Sequence, residues 1–476
     1  MGCFGGLRPP KHPHKPTNCV SHKNIRPIIW QGKIVSVRKY SIIDCTNKEV
    51  RLKQPNFEPG EGFARQLDEQ DALAKFRQAF YIADPDLIYL DGNSLGRLPL
   101  ATRERVRTAV EVEWGIDLIR GWNANWYQAP ARVGEKIARL VGAAPGQVLV
   151  SDSTSVNLFK LVCAALALRP ERNCIVSDAL NFPSDIYVLQ GIIPLLGNRH
   201  SLTLVPSADE ISIDLGDIAA RIDENTALVT FSQVVFKSGF LYDVEELTRI
   251  AHRAGALVLL DMSHSVGAVP IALDKWGVDL AIGCTYKYLN GGPGSPAFLY
   301  VNHALQPQAV SPIWGWFGQQ MPFVFDLTYN PAEGARRFLV SSPPILSILA
   351  MEAGLDLQIE AGIEQIRQKS ISLTSYLVFL VDKVLAPLGF TLGSPRDARQ
   401  RGSHISIRHP EGYRINRALI EDMHLIPDFR EPDNIRLGLA PLYTSFWEVW
   451  EGVDRIRRVV EEERYLCYSN QRQAVT

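Results

Sequence analysis

The 476-residue sequence has few cysteines, almost no net charge and no long apolar segment. Its seven cysteines are scattered and form no Cys-x-x-Cys pair, which argues against a disulfide framework and against a zinc site. The net charge of −1 indicates no basic surface for nucleic acid or for an anionic membrane. No apolar stretch reaches the roughly 20 residues that cross a bilayer. We therefore expect a cytoplasmic protein without a metal, nucleic-acid or membrane partner.

Basic residues are concentrated in the first part of the chain. Positions 1–53 contain eleven Lys or Arg residues but only two acids, Asp44 and Glu49. This segment is rich in proline and has no helical periodicity, which is typical of disordered chain. It also lacks the apolar core of a secretion signal. We predict that residues 1–65 are a basic, disordered extension.

Beyond residue 66, apolar runs typical of strands alternate with helical patterns. A helix is predicted over 69–79, and others over 156–168 and 244–253. Strands are predicted at 87–90, 147–151, 174–176, 202–205, 227–231, 256–260, 279–283 and 297–301. Most of these runs are continuously apolar, as in a parallel sheet that is covered on both faces. The pattern therefore predicts an α/β fold with a mostly parallel, doubly wound sheet.

The pattern changes after the pair Pro343 and Pro344. Helices are predicted over 345–366, 371–385 and 446–463, and strands over 404–407 and 434–437. This mixture predicts a smaller α+β domain. We place its N-terminal segment at residues 66–115, the large domain at 116–344 and the C-terminal part of the small domain at 345–476.

Lys287 lies in a Gly-rich turn, 284–294, between two predicted strands. A desolvated lysine amine can form a Schiff base with a carbonyl, as it does with pyridoxal phosphate (PLP). Most lysines are solvated surface charges, so Lys287 alone leaves both interpretations open. Its neighbour Tyr286 offers a phenol for a phosphate or for proton transfer.

A possible phosphate site lies at 151–157, between a predicted strand and a buried helix. Free amides at the start of a helix, together with the hydroxyls of Thr154 and Ser155, suit an anion. The same residues could simply cap the helix.

The next candidate, Phe182-Pro183-Ser184-Asp185, also follows a predicted strand. Phe182 could stack on a flat ring and Asp185 could accept a hydrogen bond, although a plain turn with a hydrophobic anchor would look alike.

Asp261 emerges directly from an apolar strand, and His264 follows three residues later. A buried carboxylate is costly unless it is paired, and a protonated pyridine nitrogen would be a suitable partner. A helix cap and a buried structural histidine are the alternatives. In chain order, these candidates are a phosphate cradle, a ring stacker, a pyridine-nitrogen acid and a Schiff-base lysine. That order is the one that an aspartate-aminotransferase-like PLP fold requires.

At this point the sequence strongly resembles the kynureninase family over roughly residues 70–465. The motifs that carry the resemblance are 90–96, 118–123, 151–157, 182–185, 261–264, 286–294, 315–318, 342–345 and 441–443. The resemblance implies a PLP-dependent homodimer whose cofactor sites are completed across subunits. It further implies hydrolysis of L-kynurenine to anthranilate and L-alanine, or of 3-hydroxy-L-kynurenine to 3-hydroxyanthranilate and L-alanine, in tryptophan catabolism.

The resemblance also implies a role for each site residue. PLP would be bound to Lys287, with its phosphate held by Thr154, Ser155, Tyr286 and a neighbouring subunit's Trp316. Phe182, Pro183, Ser184, Asp185, Ser232, Asp261 and His264 would surround the ring, and Ser342 stands where the family often has Asn or Thr. Arg436 would bind the substrate α-carboxylate, near Asn93, Ser94 and Trp122. Lys287, Asp261 and Tyr286 would be catalytic, Lys287 moving the Cα proton and Tyr286 relaying one after Cβ–Cγ cleavage.

Two other functions remain alternatives. A cysteine desulfurase or selenocysteine lyase of the same fold would need a cysteine on a mobile loop, and residues 311–344 contain none. A ligand-binding or scaffold protein would use the same sheet to bind a ligand or partner without catalysing a reaction.

Trp122 and Trp126 could line the end of the pocket that holds the aryl group of the substrate, or they could belong to the core.

Overall fold

The computed structural model describes residues 56–471 of the chain. The strands are β1 (Ile88–Tyr89), β2 (Val148–Val150), β3 (Cys174–Asp178), β4 (Ser201–Val205), β5 (Thr226–Ser232), β6 (Leu257–Asp261), β7 (Leu280–Gly283), β8 (Phe298–Val301), β9 (Thr391–Leu392), β10 (His404–Arg408), β11 (Leu425–Ile426), β12 (Asp428–Arg430) and β13 (Asn434–Gly438). The α-helices are α1 (Glu61–Glu69), α2 (Leu100–Thr108), α3 (Ala129–Val141), α4 (Thr154–Ala167), α5 (Pro183–Leu195), α6 (Leu215–Ala219), α7 (Val244–Arg253), α8 (Leu273–Trp276), α9 (Ile345–Ala361), α10 (Ile363–Leu380), α11 (Gly412–Asp422) and α12 (Phe446–Glu461). Short 3₁₀ or π turns occupy Ala74–Ala79, Ala109–Asp117, Leu118–Arg120, Trp122–Trp126, Trp316–Gly318, Pro322–Val324, Gly334–Phe338, Val381–Leu385, Ala386–Leu388, Ala398–Gln400 and Arg464–Cys467.

The large sheet has seven strands in the order β2-β8-β7-β6-β5-β3-β4. The pairs from β4 to β7 are parallel, whereas β8 is antiparallel to both of its neighbours. Alternate residues of one strand enter different cores: Val258 and Leu260 face one, and Leu257 and Leu259 face the other. The predicted doubly wound, mostly parallel sheet is confirmed.

A four-stranded antiparallel sheet, β12-β13-β10-β9, follows in the last third of the chain. It shares a third apolar core with α10, α11 and α12. Strand β1 pairs in parallel with β11, so an N-terminal segment joins this part of the structure. The division into domains at residues 115 and 344 remains a prediction.

The N-terminal part of this region differs from two sequence expectations. Helix α1 begins at Glu61, inside the stretch predicted as a disordered extension, and Phe57 and Phe63 pack against Tyr376. The prediction is therefore wrong for the end of that stretch, because aromatic residues anchor it, while residues 1–55 lie outside the described part. The helix predicted over 69–79 is reduced to the turn Ala74–Ala79. Asp71 explains the break, since its carboxylate accepts the Leu73 N–H at 2.9 Å.

One described segment, Ile363–Leu388, is long and apolar enough to cross a membrane by length and composition. The expectation that no apolar segment reaches this length is thus wrong. Leu373, Leu377 and Leu380 of this segment are nevertheless buried in the third core. Its buried Lys369 forms an ion pair with Asp71 at 2.6 Å. This packing is typical of a core helix.

Candidate active site

A cavity of about 490 Å³ lies at the edge of the large sheet where the parallel strands end. Because parallel strands present their carboxyl ends to the same edge, residues that are far apart in sequence meet there. The wall consists of Asp152, Ser153, Thr154, Ser155, Phe182, Ser184, Asp185, Asp261, Ser263, His264, Tyr286, Lys287, Gly294, Ser295, Pro296, Ala297 and Pro344. Nine of these residues are among those predicted from the sequence to bind the cofactor.

Two helices begin at one side of this cavity. Helix α4 starts at Thr154 after the N-cap Ser153, whose hydroxyl accepts the Val156 N–H at 3.4 Å. Helix α5 starts at Pro183, and the hydroxyls of Ser155 and Ser184 lie 3.1 Å apart. Unpaired amides and the positive ends of helix dipoles favour an anion at such a place. The arrangement fits a phosphate group.

Two buried carboxylates, Asp185 and Asp261, line another part of the wall. Asp261 ends β6 and accepts hydrogen bonds from the Ser263 N–H at 2.8 Å and its hydroxyl at 2.6 Å. Burial raises the pKa of Asp261. Burial, followed by the nearby Asp261, raises the pKa of Asp185 well above its ordinary value. A cationic ring nitrogen would relieve the cost of these two acids, so the pair fits a protonated pyridine.

Lys287 Nζ lies 2.8 Å from Nε2 of the buried His264. Burial lowers the pKa of His264 well below its ordinary value, and the charge on Lys287 lowers it further. A neutral imidazole can therefore accept a hydrogen bond from the lysine ammonium. His264 Nδ1 is buried without a hydrogen-bond partner among the described residues. These groups suit a ligand that reacts with the amine.

The turn that carries Lys287 depends on its glycines. Gly292 and Gly294 have φ angles of 87° and 72°, in the left-handed region that glycine adopts at little cost. The Gly291 N–H donates to the Thr285 carbonyl at 2.9 Å and thereby closes the turn. Tyr286 also lines the cavity, and the adjacent Cys284, followed by burial, raises its pKa. The phenol therefore keeps its proton and can donate it.

Phe182 lies on the cavity wall and packs edge-to-face against Phe236, with ring centroids 5.2 Å apart. The predicted Pro183 and Ser232 are absent from the wall. Pro183 opens α5, and the Ser232 hydroxyl donates to Asn181 Oδ1 at 2.8 Å. Because Asn181 Oδ1 also accepts the Phe182 N–H at 2.8 Å, Ser232 supports Phe182 through Asn181.

Arg436 is buried on β13 and does not line the cavity. Burial lowers the pKa of His264 and of His404, and the charge on Arg436 lowers both further. Its Nη2 donates to Asp428 at 2.5 Å and to the Ser94 hydroxyl at 3.1 Å. Its Nε is buried and has no hydrogen-bond partner in the described structure. The side-chain amide of Asn93 is likewise buried and unpartnered within residues 56–471. These free polar groups can receive a carboxylate.

Three further predicted site residues, Trp122, Trp316 and Ser342, also do not line the cavity in a single chain. Trp122 packs against Trp126 and Phe317. Trp316 is partly exposed and packs against Phe317 and Phe323, and Ser342 is exposed although Pro344 reaches the wall.

The structure also brings in residues that were not predicted from the sequence. The Asp-x-Ser spacing of Asp261 and Ser263, which allows a local hydrogen bond, was an available signal. No sequence signal indicated His404, because it lies on β10 of the antiparallel sheet and not at the end of a strand of the large sheet. Its ring centroid lies 5.3 Å from that of His264.

Comparisons with known proteins agree with this geometry. Residues 366–456 match the model of the kynureninase C-terminal domain. The chain is 42% identical to a kynureninase of Pseudomonas fluorescens and 41% identical to one of Burkholderia pseudomallei (strain 1106a), in each case over 84% of this chain and 95% of the relative.

Similar solved structures include a cysteine desulfurase from Thermococcus onnurineus NA1, with a TM-score of 0.70, 20% identity and coverage of 82% of this chain and 98% of that one. Another is a lysine-to-alanine mutant of C-DES with glycine covalently linked to its PLP cofactor, with a TM-score of 0.69, 18% identity and coverage of 78% and 97%. These structures support the fold alone. The two kynureninases, which are 42% and 41% identical to this chain over 84% of its length, show that the chain belongs to the kynureninase family.

Proposed function

We propose that this protein hydrolyses L-kynurenine to anthranilate and L-alanine with PLP bound to Lys287. The observation that carries the proposal is one cavity lined by Lys287, Asp261 and the start of α4, in a chain 42% identical to a kynureninase. The lysine supplies an amine for the cofactor aldehyde, and the helix start supplies amides for its phosphate. PLP enzymes that act on amino acids share this combination together with a carboxylate-binding arginine, and the relationship to kynureninases narrows the reaction to kynurenine hydrolysis.

The bound cofactor would supply an electron sink for carbanion chemistry at the substrate Cα and Cβ. Asp261, with Asp185 beside it, would hold a proton on the ring nitrogen. Lys287 Nζ is the group placed to move the Cα proton, and neutral His264 at 2.8 Å can hold that amine in position. Tyr286 keeps its phenolic proton and, of the two tyrosines adjacent to Lys287, is the one that lines the cavity.

Arg436 is our candidate for the substrate α-carboxylate, because a guanidinium binds a carboxylate through two parallel hydrogen bonds. The unpartnered Nε supports this role. Asn93 and Ser94 would lie beside the same end of the substrate. We assign Trp122 no contact with the substrate within one chain, because its ring packs against Phe317.

Sulfur transfer from cysteine is less well supported, although desulfurases share the fold. No cysteine occurs in residues 311–344, where the sulfur acceptor would be expected. Cys284 is close in sequence to Lys287 but is buried, and its thiol lies 3.7 Å from the Ser263 carbonyl oxygen.

The proposed reaction is tested by incubating the PLP-loaded protein with L-kynurenine and measuring anthranilate and alanine in equal amounts. We expect turnover of L-kynurenine, and kcat/KM for 3-hydroxy-L-kynurenine measured in parallel defines the preferred substrate. L-cysteine serves as the control for the desulfurase alternative, and no sulfide is expected. A protein that binds PLP but releases only sulfide would exclude the proposal.

We further infer that the protein is a cytoplasmic homodimer whose cofactor sites are completed across subunits. Exposed apolar side chains in two segments support this inference: Trp114, Ile116, Leu118 and Ile119 in one, and Trp314, Met321, Phe323, Phe325 and Leu327 in the other. Contiguous exposed apolar surface is typical of an interface. Trp316 belongs to the second segment and is our candidate for the phosphate of the neighbouring site. The free thiols of Cys163, Cys174, Cys284 and Cys467 suit a reducing compartment.

Mixing two defective variants tests the shared site. We expect Lys287→Ala and Trp316→Ala each to have little activity at limiting PLP. A hybrid dimer has one site with both native residues, so random mixing should restore roughly a quarter of the wild-type activity. Mixing Lys287→Ala with Asp261→Asn is the control, because both residues come from the same chain and no intact site forms. Equal recovery in both mixtures would contradict the arrangement.

A further inference from the structure

Lys160 is a fully buried lysine on α4, two turns from the phosphate cradle. Its Nζ lies 2.6 Å from the Asp152 carboxylate, 2.8 Å from the Phe338 carbonyl oxygen and 3.3 Å from the Ser151 hydroxyl. Burial lowers the pKa of Lys160, and Asp152 opposes this shift. A buried lysine with three such partners is a fixed part of the structure.

Asp152 connects this lysine to the cavity. It lies between β2 and the N-cap Ser153, and it lines the wall beside Thr154 and Ser155. Its φ of 47° lies in the left-handed region, which Asp tolerates better than most residues. The Asp152 carbonyl accepts the Ala297 N–H at 2.8 Å, so the same residue also holds Ala297, another residue of the wall.

A carboxylate that lines the phosphate end of the cavity is unfavourable for a phosphate, because like charges at short distance repel each other. Lys160 supplies the compensating charge from behind the cradle. Its bond to Phe338 also joins the cradle to the chain that leads to Pro344, another part of the wall. The ion pair is thus placed to control both the charge and the shape of the phosphate end.

We propose that Lys160 is a positioning residue for the cofactor phosphate, which neutralises Asp152 and makes the cradle selective for phosphorylated over unphosphorylated pyridoxal. The inference rests on the proposed function, because it requires PLP in this cavity. Lys160 acts through Asp152 and the residues that follow it, not by contact with the reacting atoms.

A general contribution to stability is the competing explanation, and the chain contains a matched control. Lys369 forms an equally short buried ion pair with Asp71, also at 2.6 Å, but neither residue lines the cavity. Lys369→Met therefore removes a buried ion pair without touching the cradle. Lys160→Met removes the buried ion pair with Asp152, which lines the proposed phosphate end of the cavity.

The experiment measures the affinities of the cofactor-free, full-length protein for PLP and for pyridoxal by absorbance and protein fluorescence. We expect Lys160→Met to weaken PLP binding about tenfold or more beyond any loss for pyridoxal. Asp152→Asn in the same protein should restore most of the preference, because it removes the uncompensated charge. Lys369→Met should leave the ratio of the two affinities unchanged.

Equal losses for PLP and pyridoxal, or no recovery with Asp152→Asn, would show a purely structural role and overturn the inference. If Lys160→Met does not fold, Asp152→Asn alone decides, since it should keep or increase the preference for PLP and a decrease would refute the repulsion. A wild-type protein that does not prefer PLP would instead refute the proposed function itself.

Discussion

Replacement of Lys287 by alanine is expected to abolish the visible absorbance band of the bound cofactor and to reduce turnover of L-kynurenine by at least roughly 10²–10⁴-fold. The band requires a covalent link between the lysine amine and the cofactor. Turnover requires the same amine to move a proton at the substrate Cα. Alanine removes both functions but leaves His264 and Asp261 in place, so the folded structure should persist.

Lys275→Ala is a suitable control, because Lys275 is an exposed lysine on α8 and does not line the cavity. It should retain both the band and the turnover. Circular dichroism and thermal unfolding of the two variants would separate lost chemistry from lost fold. A Lys287→Ala protein with a normal band and full activity would refute the assignment of Lys287.

The sequence was sufficient to predict the side of the cavity that the large sheet builds. Asp261 ends one strand of the mostly parallel sheet, and Asp185 and Lys287 follow two others. The ends of these parallel strands meet at one edge whatever the lengths of the connecting helices. Their local positions along the chain therefore determine their common location. Ser232 illustrates the limit, because strand order placed it nearby but only the side-chain geometry shows that it contacts Asn181.

No local pattern encodes the remaining contacts of the site. His404, which was not predicted, and Arg436, which only the family resemblance predicted, approach the site from a second sheet, so their positions depend on how the cores pack. In the sequence, Lys160 lies within a helix predicted to be apolar and buried. Its ion pair with Asp152 is seen only in the structure, where Asp152 adopts a left-handed conformation just before α4. The roles of Trp316 and Ser342 remain predictions, because a site shared between copies is not determined by one chain.

The second large effect is expected at Asp261. Asparagine has nearly the same shape and can still accept the hydrogen bonds from Ser263, but it carries no charge to pair with a protonated ring nitrogen. We therefore expect Asp261→Asn to keep the covalent cofactor while kcat for L-kynurenine falls roughly 10²–10³-fold, the range for loss of one preorganised electrostatic group. The measurement is kcat together with the absorbance band, whose shape should change as the ring nitrogen loses its proton.

Asp279→Asn is the matched control for a buried acid of the same sheet. Asp279 precedes β7 at the opposite edge and accepts the Val258 N–H at 2.8 Å, much as Asp261 accepts that of Ser263. Its replacement should lower the unfolding temperature and leave kcat close to the wild-type value, because Asp279 does not line the cavity. Equal losses of kcat in the two variants would show that Asp261 acts through stability alone. A selective loss at Asp261, with the cofactor still attached, would assign the charge of this carboxylate to the chemistry.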